Sequence, residues 1–156
     1  MERKMYFANR KMTDEKAEKF LLENRIASLA VNGDEGKPYV VPVHYIYLNN
    51  AIYFHSAKYG YKMDALKKDN RVCMSIVGET AVINEKYTAS FESVIVEGKA
   101  VFVEDNTERE QVLKEMIRRW TGGFDEVGQQ MIDKTIGRTA VVKIVIDTIS
   151  GKAYKG

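Results

Sequence analysis

The chain has 156 residues, with 24 lysines and arginines against 22 acids and a formal net charge of +2. That near-balance excludes a dedicated nucleic-acid binder, which concentrates a basic excess on one face. The single cysteine excludes an internal disulfide, and no apolar run reaches the ~20 residues of a membrane span.

In chain order, MERKMYFANRK is basic but lacks a following apolar stretch, so no secretory leader is expected and the location is cytoplasmic. Thr13 can cap a short helix whose first turn carries Asp14 and Glu15. Ala17, Phe20 and Leu21 recur at helical spacing, which turns Phe20 and Leu21 to the core. A strand over Ile26 to Val31 ends in the turn Asn32-Gly33-Asp34-Glu35-Gly36. Pro38 to His55 reads as a β-hairpin, because Asn49-Asn50 tolerates the positive φ of a tight turn. Ser56-Ala57-Lys58-Tyr59-Gly60 then leads into a helix over Tyr61 to Lys68, with Met63 and Leu66 on one face.

Arg71 to Val77 is a strand with a continuous apolar run, closed by Gly78-Glu79, in which Cys73 reads as a small buried hydrophobe. A long extended region follows over 81–103, with Gly98 marking a bulge or bend. Thr107-Glu108-Arg109-Glu110 fits a capping box, so Thr107 should start a helix with an apolar stripe of Leu113, Met116, Ile117 and Trp120. Gly122-Gly123 ends it, a short helix over 124–134 follows, and Thr139 to Asp147 is the last strand, ahead of Ser150-Gly151-Lys152. Strands dominate and no regular βαβ alternation occurs. The expected fold is a mainly β, antiparallel barrel with peripheral helices, one domain over residues 1–156.

Two elements carry candidate chemistry. Ser56, Lys58 and Lys62 surround a helix start behind a glycine, a candidate phosphate cradle. The same spacing suits an ordinary solvated lysine, and it matches neither a Walker loop nor GxGxxG. His44 and His55 lie on strands close enough to pair, either as packed rings or as proton-transfer groups. With only two histidines and one cysteine, no cluster with metal spacing exists. Tyr39, Tyr45, Tyr47, Tyr53, Tyr59 and Tyr61 are dense for one segment, as in the lining of a ligand crevice or a subunit interface. With the Leu113–Trp120 stripe they offer more apolar surface than one small barrel covers, so a homodimer is expected.

The segments PYVVPVHYIY, IYFHSAKYGYK and FESVIVEGKAVFV, with the closing ISGK, resemble the pyridoxamine 5′-phosphate oxidase-like flavoproteins. Within that group they are most similar to the 5-nitroimidazole resistance (Nim-type) branch. The resemblance spans nearly the whole chain in the expected order. It implies a Greek-key split β-barrel that dimerises, with FMN in clefts between the subunits. Val41, Pro42, Val43 and His44 would then run beside the flavin ring. His55, Ser56, Ala57 and Lys62 would hold the ribityl chain and phosphate, with Lys58 nearby. Ser93 would meet the polar edge of the ring, and Trp120 would come from the dimer partner. The histidine at position 55 is the candidate catalytic residue.

The resemblance also marks departures. The oxidases of this family carry arginine in the strand matching Val40–Val43 and again beside the lysine matching Lys62. This chain has Val41 and Tyr61 there, so oxidation of vitamin B6 is not expected. The function implied is an FMN-dependent oxidoreductase, nitroreductase-like, that passes electrons from NADH or NADPH to a small-molecule acceptor. Two alternatives stand beside it: a flavin-binding carrier or sensor without turnover, and a haem protein on the same barrel with His44 or His55 as axial ligand.

Overall fold

The computed structural model describes residues 3–156. Its six antiparallel strands are β1 (Ile26–Asn32), β2 (Pro38–Leu48), β3 (Ala51–Ala57), β4 (Arg71–Ile83), β5 (Thr88–Phe102) and β6 (Thr139–Tyr154). They close into a barrel in the order β1-β2-β3-β6-β5-β4. Because β4 returns beside β1 rather than β3, the run β4-β1-β2-β3 is a Greek key. The β2–β3 turn is built as its sequence demands, with Asn49 at φ 52° and Asn50 at φ 59°.

Strand alternation fills the barrel. Val43, Tyr45 and Tyr47 of β2 and Ile52 and Phe54 of β3 point inward, each of them buried, while Pro42, His44 and His55 point outward and are exposed. Burying one such apolar side chain is worth about 1.5–3 kcal/mol. Two helices add to this interior. Helix α1 (Asp14–Glu23), capped by the Thr13 hydroxyl accepting from Lys16 N–H, contributes Ala17, Phe20 and Leu21. Helix α2 (Tyr61–Lys68) contributes Met63, Ala65 and Leu66.

Helices α3 (Asn106–Thr121) and α4 (Glu126–Thr135) lie outside the barrel. Leu113 and Met116 of α3 and Ile132 of α4 form a second core with Ile46, Tyr53 and Val141 on the outer face of β2, β3 and β6. No helix among the described residues is long and apolar enough to cross a membrane.

Four local expectations are corrected. β4 does not stop at Gly78 but continues to Ile83, with a bulge between Val77 and Thr80, and pairs with β5 as a long hairpin. Gly78 is a packing glycine, since a Cβ there would stand 2.6 Å from Cε2 of buried Phe20. β6 likewise runs through Ser150-Gly151-Lys152 to Tyr154, where Gly151 leaves room for Met12. Helix α3 is capped by Asp105, whose carboxylate accepts from Glu108 N–H, and Thr107 lies inside it. Cys73 is only half-buried, because alternation sends Val72, Met74 and Ile76 inward and Cys73 outward.

Candidate functional site

The barrel opens between β2 and β3. Their ladder runs from Leu48↔Ala51 to Tyr45↔Phe54 and ends there. Beyond it β2 stays with β1, from His44↔Ile26 to Pro38↔Asn32, while β3 stays with β6, from Ala51↔Val145 to Ala57↔Thr139. Tyr45 N–H donates to Arg25 C=O on the β1 side. Antiparallel alternation therefore aims the backbone groups of Val40, Pro42 and His44 into the gap. Both prolines of the chain, Pro38 and Pro42, fall on this unpaired side, where a missing N–H leaves no ladder bond unmade.

His44 and His55 are the first residues past the last paired rung. Both rings flank Trp120, whose indole centroid lies 5.8 Å from His44 and 5.6 Å from His55. Lys62, in the first turn of α2, brings Nζ to 5.7 Å from the Phe54 ring centroid. Among the described residues no carboxylate forms an ion pair with Lys62 or either histidine. Burial pushes the Lys62 ammonium below its ordinary value. The His55 imidazole is also pushed below its usual value, first by desolvation, then by the charges of His44 and Lys62. It keeps that shift although its surface is open to solvent, because packed atoms crowd one side of the ring. The arrangement is a basic pocket with Lys62 as its cation and no ion-paired carboxylate among the described residues, a setting that an anion would relieve.

Trp120 is set in place by its neighbour. Arg119 donates through Nη1 to Tyr47 C=O at 2.6 Å and through Nε to Glu115 at 2.9 Å, stapling the end of α3 to β2. Nothing in the sequence distinguishes this arginine from a solvated helix charge, so sequence reasoning misses it. The indole Nε1 is buried with no hydrogen-bond partner among the described residues. Trp120 thus stands against the histidines of its own chain.

The other expected site residues divide clearly. Val43 is buried and the partly buried Val41 packs against the barrel core, with both paired to β1 at Ala27 and Leu29, whereas Pro42 and His44 present their side chains outward. Ser56 is half-buried, and Ala57 and Lys58 are exposed at the end of β3 and in the loop to α2. Ser93 does not join the group. It pairs with Val77 of β4 and Lys152 of β6, which puts it three strands from His44 by way of β1 and β4, roughly 14 Å around the wall. Tyr61 donates no charge to the site. Its hydroxyl accepts from Asp34 N–H at 2.7 Å, and its ring meets Tyr39 edge-on at 4.8 Å.

The apolar surface offered for dimerisation is also relocated. Leu113, Met116 and Tyr53 are buried within the chain, as are Tyr45 and Tyr47. Tyr59 and Tyr61 stay exposed, and the outer face of β2, β1, β4 and β5 is open as well, where Val40, Pro42, Ser28, Ala30, Cys73, Ser75 and Ile95 form cross-strand rows of small or apolar residues.

Comparison with known proteins gives the same architecture. A proposed 5-nitroimidazole antibiotic resistance protein from Bacteroides thetaiotaomicron superposes with a TM-score of 0.78 at 26% identity, over 92% of this chain and 86% of that one. The conserved hypothetical protein Rv2991 from Mycobacterium tuberculosis gives 0.82 at 21% identity, over 96% and 90%. The flavocytochrome Anf3 from Azotobacter vinelandii gives 0.77 at 20% identity, over 99% and 73%. No curated protein matches the sequence significantly. The family model described as pyridoxamine 5′-phosphate oxidase matches residues 13–153, and on that span the chain belongs to the pyridoxamine 5′-phosphate oxidase family.

Proposed function

We propose that the chain is a homodimeric FMN-dependent oxidoreductase that reduces small nitroaromatics. The observation that carries this reading is the basic pocket of Lys62 with His44 and His55, which has no ion-paired carboxylate among the described residues and opens beside unpaired backbone groups of β2. A terminal phosphate fits Lys62 and the Ser56 hydroxyl through charge-assisted hydrogen bonds. The unpaired carbonyls of Val40 and Pro42 and the N–H groups of Val40 and His44 suit the donors and acceptors of a flavin ring. Likeness to a proposed nitroimidazole resistance protein and to a flavocytochrome supports the same direction.

When bound, FMN supplies a two-electron carrier between a reduced nicotinamide and the nitro group. The chain supplies position and charge. Lys62 would offset the charge of the phosphate. Vitamin B6 oxidation is not proposed: Val41 serves the core, and Tyr61 is committed to the Asp34 turn.

A second copy is proposed to cover the open face of β1, β2, β4 and β5. That face borders the split at Pro42 and His44, so a partner there could bring its own Ser93 to the pocket.

The test is the visible spectrum of purified protein, before and after FMN and then with NADPH and a nitroaromatic. A flavin spectrum that bleaches with NADPH and returns as the nitro compound is consumed supports the reading. Protein that stays colourless with added FMN, or shows a Soret band, overturns it.

A further inference from the structure

Trp120 also borders a cavity of about 480 Å³, bounded by the end of α1, the start of β1, the β2 segment Tyr45–Tyr47 and the end of α3. It exists because β2 outruns β1. The β1–β2 ladder begins at Ile26↔His44, so past Tyr45 the outer side of β2 has no β1 neighbour and the chain leaves α1 across the gap. Trp120 and Ile26 bound the cavity, and they are also the residues in contact or paired with His44. The cavity and the basic pocket therefore share a wall.

Its chemistry is mixed in a particular way. Leu22, Ile26, Ile46, Val77 and the Trp120 indole make an apolar, partly aromatic surface, while Arg25 and Arg119 bring guanidinium groups to the rim. Arg119 spends Nε on Glu115 and Nη1 on Tyr47 C=O, which leaves Nη2 uncommitted among the described residues. Arg25 makes no side-chain hydrogen bond or ion pair among the described residues and is exposed. The one carboxylate on the rim, Glu23, pairs with Lys19 at 3.8 Å. A planar ring against an indole with a carboxylate between two guanidinium forks satisfies every one of these groups.

We propose that this cavity is the acceptor subsite, and that it selects aromatic acceptors bearing a carboxylate. Resting on the nitroaromatic reading above, it names the substrate class of that site: the carboxylate is held by Arg25 and Arg119, and the ring lies along Trp120 toward the histidines.

Trp120 is the only tryptophan of the chain, so its emission reports on the shared wall alone. The test titrates 4-nitrobenzoate and the neutral 4-nitrobenzamide into flavin-free protein, following that emission. The expected result is saturable quenching by both, with 4-nitrobenzoate binding about tenfold tighter, the worth of one charge-assisted contact. Arg25→Glu should abolish the preference and Arg25→Lys should largely keep it. Equal affinity for the two probes, quenching that never saturates, or a preference unchanged in Arg25→Glu overturns the proposal. Because no flavin is present, a failure to bind FMN leaves this outcome readable, and a failure here leaves the flavin reading standing.

Discussion

The imidazole of His55 lies 5.6 Å from the indole of Trp120, centroid to centroid, although 65 positions separate them in sequence. The contact joins an outward residue of β3, just past the point where β2 and β3 part, to the last turn of a helix packed on the barrel's outer face. It closes one side of a pocket whose other side is Lys62. The charge state of His55 follows from that enclosure.

His55 titrates below the ordinary histidine value of about 6.5, with desolvation as the larger cause and His44 and Lys62 as lesser ones. The sign follows from linkage. The unfolded chain protonates this histidine at a higher pH than the folded chain does, so the fold loses stability as pH falls from about 6.5 to the folded midpoint. NMR titration of the ring protons should find that midpoint lowered in the native chain. Lys62→Ala and His44→Gln should each move it part of the way back, since desolvation remains. The same midpoint in all three proteins would refute the account of the pocket as a cluster of like charges.

Gly98 sits where the β5–β6 register shifts between Glu97 and Gly98. A Cβ there would fall 2.2 Å from the Val145 carbonyl oxygen and 3.1 Å from Ile144 Cγ2. The nearest atom belongs to a paired backbone, so it cannot swing aside. Gly98→Ala should cost about 1–3 kcal/mol, the usual penalty for forcing atoms into a packed interior. Urea unfolding measures it, and a variant as stable as the native chain contradicts the geometry.

The placement of strands and helices was largely legible because short-range signals set it. Asn49-Asn50 required a tight turn, Phe20 and Leu21 marked the buried face of α1, and Gly98 marked the irregularity in β5. The failures share one cause, which is that competing local signals look alike until tertiary packing chooses. Gly78 reads as a strand end but makes room for Phe20, and Thr107 reads as the cap of α3 where Asp105 takes that place by reaching Glu108 N–H. In the site, the hairpin order placed His44 and His55 together. No periodicity in the sequence announced Arg119 as the staple or the split at Tyr45↔Phe54, since both depend on contacts between distant elements.

The proposed dimer rests on the open face of β1, β2, β4 and β5, where Ile95 is 37% exposed and Val40 59%. An arginine at position 95 would bury an unpaired charge in such an interface, which costs several kcal/mol. Light scattering should give a dimer mass for the native chain and a monomer mass for Ile95→Arg. A native monomer, or a variant that remains a dimer, contradicts the assignment of this face.

The central claim is that a flavin mononucleotide binds in the split with its phosphate on Lys62, against the wall that Trp120 forms. Titrating FMN into flavin-free protein while following Trp120 emission tests it most directly. The account predicts saturable quenching with one FMN per chain, weakened roughly 10- to 100-fold in Lys62→Ala, as the loss of a hydrogen bond to a charged group implies. Emission indifferent to FMN, or identical binding in Lys62→Ala, would contradict it.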